Sequence, residues 1–185
     1  MSRADSGKSE WASGGAVSDV DPWLHVVLHQ PEIPPNTGNA GRTCVALGAK
    51  LWLVRPLGFR TDEHALRRAG MDYWQHLNWE VIDSWAELTE RLAGHRFWLL
   101  TKSAPKSYTQ VAFQRGDVLV FGSESQGLPE SLRSEYADWC LSIPMLPPAR
   151  CLNLACSVGV VTYEARRQLS DCGAGVPPAL GPQLS

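Results

Sequence analysis

The sequence predicts an α/β domain: a mainly parallel sheet with helices on both faces. Three observations carry that expectation. Short β-rich runs alternate with helical stretches along the chain, the order that builds βαβ units. Two of the runs, FWLL (Phe97–Leu100) and VLVF (Val118–Phe121), are apolar at every position, as in strands buried on both sheet faces. Loops rich in Gly and Pro leave three of the strands, where ligands sit in open parallel sheets.

The elements follow in order. LHVVL (Leu24–Leu28) reads as a strand, ended by the turn-forming PEIPPNTGN. A helix is expected from Gly38 to Leu47, with Asn36 or Thr37 as N-cap and Gly48 as the stop. Leu51–Val54 reads as a second strand and Asp62–Arg68 as a short helix. Glu80–Ile82 is a third strand. The helix Ser84–Ala93 follows, where Ser84 with Glu87 three residues on forms a capping box. Phe97–Leu100, Val118–Phe121 and Trp139–Ile143 complete the strands. The last helix runs from about Leu152 to Leu169, with Leu154, Val158, Val161 and Ala165 at the spacing of a core face.

The chain of 185 residues suits one domain with a substantial core. Residues 1–21 lack an apolar segment and read as a disordered tail, 22–170 as the domain, and 171–185 as a flexible Gly/Pro-rich tail. No apolar run approaches the ~18 residues of a membrane span, and a cytoplasmic protein is expected. Its 17 basic and 19 acidic residues become 15 and 14 once those tails are set aside, because they carry Arg3 and Lys8 against Asp5, Glu10, Asp19, Asp21 and Asp171. Such a balance excludes a strongly basic nucleic-acid binder and leaves local patches or a dimer surface for RNA. The five cysteines form no CxxC pair and read as free thiols, with Cys44 and Cys140 as small buried hydrophobes. No metal is expected.

Three loops leave strands with chemistry to offer: TKSAPKS (Thr101–Ser107), GSESQGLP (Gly122–Pro129) and PMLPPAR (Pro144–Arg150). Gly122, placed directly after an apolar strand, would let a ligand approach the backbone. The loop has neither GK[ST] nor GxGxxG, so it is no polyphosphate cradle and no dinucleotide fingerprint. By itself it also suits an ordinary strand-to-helix turn. Asn153 suits a helix cap, and Arg150 a solvated charge.

Taken together, PEIPPNTGNAGR, LRRAGMDYW, LVFGSESQGLP and IPMLPPARCLNL…VTYEA resemble the SPOUT class of S-adenosylmethionine-dependent RNA methyltransferases. Within it they are most similar to the subfamily that methylates the ribose 2′-oxygen of tRNA nucleotide 34. The likeness spans roughly Trp23 to Leu169. It implies a C-terminal trefoil knot, which packing rules would not suggest, and a homodimer acting on tRNA without a metal. It implies a cofactor pocket at Leu99 or Leu100, Gly122, Ile143, Cys151 and Leu152. Its catalytic residues would be Arg42, facing RNA opposite the partner's cofactor, with Asn153 and Glu124 close by, and Tyr163 would sit on the final helix. Lys102, Arg150, Arg67 and Arg68 are the RNA-contact candidates, together with Lys106. Arginine almost never gives up its proton, so Arg42 reads better as a phosphate clamp than as a base. Family members commonly carry Ser where this chain has Cys151. Methylation of another tRNA or rRNA site, or a non-catalytic RNA-binding factor of the same fold, are the alternatives.

Overall fold

The computed structural model describes residues 13–14, 21–59, 72–171 and 176–177. In order these form β1 (Ser13–Gly14), β2 (Leu24–His29), α1 (Pro34–Leu47), β3 (Lys50–Val54), a 3-10 turn (Asp72–His76), β4 (Trp79–Ile82), α2 (Trp85–Arg91), β5 (Phe97–Leu100), a 3-10 turn (Tyr108–Gln110), β6 (Asp117–Phe121), α3 (Glu130–Glu135), a 3-10 turn (Ala137–Trp139), β7 (Cys140–Leu141) and α4 (Leu154–Asp171). The sheet order is β1-β4-β3-β2-β6-β5-β7. Six of the strands are parallel, and only β1 runs antiparallel, against β4. The expected α/β class is what forms. The helix expected at Asp62–Arg68 lies outside the described residues.

The pleat divides each strand between two cores, because successive side chains point to opposite faces. Val26, Leu28, Leu51, Leu53, Leu119 and Phe121 pack with α1 and α4. Val27, Trp52, Val54, Val118 and Val120 pack with Leu88 of α2, with Leu92 just after it, and with Leu132 of α3. This explains the uninterrupted apolar runs. Leu154, Val158, Val161 and Ala165 of α4 are all buried, as their spacing requires. Cys44 and Cys140 are buried thiols, and burial pushes Cys44 up to about 12.

Several boundaries differ from expectation. Helix α1 begins at Pro34, with Ile33 as N-cap, so Asn36 and Thr37 sit inside the first turn. Proline supplies the reason: its fixed φ and missing N–H suit the first helical position. Gly48 ends the helix at φ 65, and Trp23 Nε1 donates to the carbonyl of Leu47 over 2.8 Å. At α2, Ser84 accepts from Glu87 N–H, but Glu87 reaches back to Asp83 N–H rather than to Ser84. The last strand is confined to Cys140–Leu141, because Trp139 belongs to a 3-10 turn and Ser142 meets Lys106 and Tyr108 outside the ladder. Within the two tail stretches, Ser13–Gly14 pairs with Trp79 and Glu80. Val176 packs on the core, and Pro177 O accepts from Arg166.

His25 sits on β2, 2% exposed, and its Nδ1 accepts from Trp52 Nε1 at 3.0 Å. Burial first, then His95 and Lys50, pushes it down from 6.5 to about 3. The unfolded chain therefore binds the extra proton between those values. The stability linked to His25 is complete above pH 6.5 and is lost as the pH falls toward 3. Relative to His25→Gln, which keeps an acceptor for Trp52 but does not titrate, the native chain should lose about 2 kcal/mol more between pH 7 and pH 5. Urea melts at the two pH values measure this, and equal losses would remove His25 as the cause.

Candidate active site

The loops after β5, β6 and β7 converge on a cavity of about 460 Å³ beyond the strand ends, a size that suits a nucleoside-like ligand. Leu100, Gly122, Ile143, Cys151 and Leu152 line it, as do Lys102, Arg150, Glu124 and Asn153. Leu99 does not. Strand alternation turns its side chain into the opposite core, where it is fully buried; of the Leu99/Leu100 pair, Leu100 faces the cavity. Arg42 is exposed on α1 and is not among the residues lining this cavity. Arg67 and Arg68 lie outside the described residues.

A continuous hydrogen-bond chain builds the wall. Asn153 Oδ1 accepts from the N–H groups of Ala155 and Cys156 at 2.9 and 3.3 Å, capping α4. Its Nδ2 donates to Asn36 Oδ1 at 2.8 Å, and Asn36 Nδ2 donates to Glu124 Oε1 at 2.9 Å. Glu124 also accepts from the backbone N–H of Glu32 at 2.8 Å and of Ile33 at 3.2 Å. Those donors stand at the start of α1, where free N–H groups and the helix dipole favour an anion. Ile33 offers no side-chain cap, so Glu124 supplies one from the loop after the neighbouring strand β6. Glu32 returns the contact, accepting from Ser125 N–H at 3.0 Å and Ser125 Oγ at 2.6 Å.

Gly122, which lines the cavity, also meets a steric demand of the loop itself. A Cβ there would run into the backbone of Gly127 and Leu128, because the loop folds back on its own strand end. Gly127 turns the loop at φ 72, its N–H donating to Ser123 O at 2.9 Å. Asn36 is the site residue that sequence reasoning treated as a cap alone. Its place four residues before the helical Ala40 gave a cue to helix entry, not to the link across to Glu124.

Away from the cavity, Asp21, His25 and His95 hold ligand-type atoms within 4.8 Å of one another. Trp52 can only donate, so His25 Nδ1 carries the lone pair and the neutral ring keeps its proton on Nε2. That leaves no second lone pair for a cation.

Three loops walling one cavity at the end of a parallel sheet are the architecture of a ligand-binding α/β enzyme. The chain belongs to the SpoU rRNA Methylase family, whose model matches residues 23–163, and this membership carries the knotted α/β fold. It is 45% identical to a tRNA (cytidine(34)-2'-O)-methyltransferase of Methylovorus glucosotrophus over 150 residues, 80% of this chain and 97% of that one. The corresponding Escherichia coli enzyme is 41% identical, over 82% of this chain and 97% of its own. A structure solved for the 2-OH methylation of C/U34 on tRNA superposes with a TM-score of 0.77 at 46% identity, covering 82% of this chain and 99% of that chain. The SpoU methyltransferase AviRb of Streptomyces viridochromogenes, in complex with AdoMet, matches with a TM-score of 0.71 at 26% identity, over 82% of this chain and 60% of its own.

Glu124→Gln replaces one acceptor oxygen by an amide that faces N–H donors. It should lower stability by about 1–3 kcal/mol, read as a shifted urea midpoint. An unchanged midpoint would mean that the carboxylate does not hold α1.

Proposed function

We propose that this protein transfers the methyl group of S-adenosylmethionine to the ribose 2′-hydroxyl of nucleotide 34 of tRNA, as a cytoplasmic homodimer. The observation that carries the reading is the convergence of the three motif loops on one cavity, in a chain 45% identical to a wobble-position methyltransferase. The cavity fits the cofactor: its size suits a nucleoside, and Leu100, Ile143 and Leu152 give apolar walls beside the loop backbones. Bound there, the cofactor supplies a methyl already activated on a sulfonium, so the protein need only align the hydroxyl and accept its proton.

Leu100, Gly122, Ile143, Cys151 and Leu152 hold the cofactor. Lys102 and Arg150, both exposed where the cavity opens, contact RNA phosphates; the sequence adds Arg67 and Arg68. Asn153 and Glu124 keep the loops in register through Asn36. Arg42 clamps the phosphate beside the target and stabilises developing charge as a planar, permanent cation. Its position apart from this chain's own cavity supports action on the partner's. The exposed Val160 and Tyr163 on α4 offer apolar surface for the two-fold contact.

The direct test is transfer of labelled methyl from S-adenosylmethionine to total RNA, followed by mapping of the modified nucleotide. Nucleotide 34 of tRNA is expected; a methylated rRNA or another tRNA position would redirect the assignment. Arg42→Lys should lower turnover about a hundredfold with cofactor affinity unchanged, whereas near-normal turnover would remove the planar clamp. Cys151→Ser restores a stronger hydrogen-bonding group and should raise the rate of transfer. An unchanged rate would make the thiol incidental.

A further inference from the structure

We propose that a second cleft, beside the cofactor cavity, seats the base of the nucleotide being methylated, with Gln30 and Gln126 holding the base's polar edge. This rests on the tRNA methylation reading above. The cleft, of about 510 Å³, lies between the loops that follow β2, β3 and β6. It shares Ser123, Gln126, Gly127, Leu128 and Arg133 with the cofactor cavity, so the two spaces have a common wall.

A ribose whose 2′-hydroxyl reaches into the first cavity carries its base only one glycosidic bond away. Proteins that read single-stranded loops splay such bases out of the stack and bind their faces and edges separately. Pro56, Leu57, Leu128 and Pro129 give the cleft apolar walls for the faces. Its shape is fixed: Gly58 N–H donates to Pro31 O at 2.9 Å, and a Cβ on Gly58 would sit 2.7 Å from the backbone of Glu32.

The cleft's charged groups are already engaged. Glu32 accepts from Ser125, and Glu130 pairs with Arg133. The side-chain amides of Gln30 and Gln126 have no hydrogen-bond partner among the described residues, and each presents two donors and an acceptor, the complement of a base edge. Gln30 is, besides, the single non-glycine residue among the described ones with a positive φ, at 55, its N–H donating to Val54 O at 2.9 Å. Such backbone persists only where surroundings impose it, and it gathers at ligand sites.

Full-length tRNA carrying an intact ribose but no base at position 34 provides the test. The native enzyme should show a KM about tenfold higher for this RNA than for the complete one, the loss of roughly one hydrogen bond's worth of binding. In the double variant Gln30→Asn, Gln126→Ala, KM for complete tRNA should rise by about the same factor, and the two RNAs should no longer be distinguished. Asn tolerates left-handed backbone, so the turn survives, and the melting temperature should match the native value. A variant that still separates the two RNAs as the native enzyme does would overturn the cleft's role. So would a native enzyme indifferent to the missing base. A native enzyme that methylates neither RNA would instead overturn the methylation reading itself.

Discussion

One carboxylate organises this molecule. Glu124 stands in the loop after β6, yet its oxygens cap the start of α1 by accepting from Glu32, Ile33 and Asn36. Through Asn36 and Asn153 the same chain of hydrogen bonds reaches the first turn of α4. The loop that walls the cavity and the two helices that cover one sheet face are thus tied at a single point. Removing one member leaves donors partly buried without partners, and such losses cost more than the bond itself. The arrangement favours a structural reading of Glu124 and Asn153 over a proton-transfer one, since their polar atoms already have partners.

Much of the fold was legible because the apolar runs are physically demanding. Phe97–Leu100 and Val118–Phe121 have no polar face to show to water, so they had to lie inside a two-sided sheet. The register of Leu154, Val158, Val161 and Ala165 likewise fixed which face of α4 is buried. Local signals failed where the partner is remote. Asn36 and Thr37 look like caps for a helix beginning at Gly38, but the cap comes from a residue 88 positions later. Spacing along the chain carries no trace of that contact.

The site was legible in a similarly divided way. Motif likeness placed Leu100, Gly122, Ile143, Cys151 and Leu152 together, and they line one cavity. It could not choose between Leu99 and Leu100, a choice made by the pleat and hence by a single residue of register. Gly122 lines the cavity, and the structure adds a second demand on it, since a Cβ there would meet the backbone of Gly127 and Leu128. Arg42 lies on an exposed part of α1, apart from the residues that line the cavity.

Sheet order also bears on how the chain comes off the ribosome. Strand β2 forms the middle of the sheet between β3 and β6, and Leu24 waits for Asp117 before its far edge is paired. Until then the emerging half carries a bare apolar strand edge and a helix whose capping carboxylate has not been synthesised. Such edges invite pairing with other chains. The N-terminal half is therefore not complete in itself: both the strand that pairs the far edge of β2 and the carboxylate that caps α1 come from the segment Asp117 to Glu124.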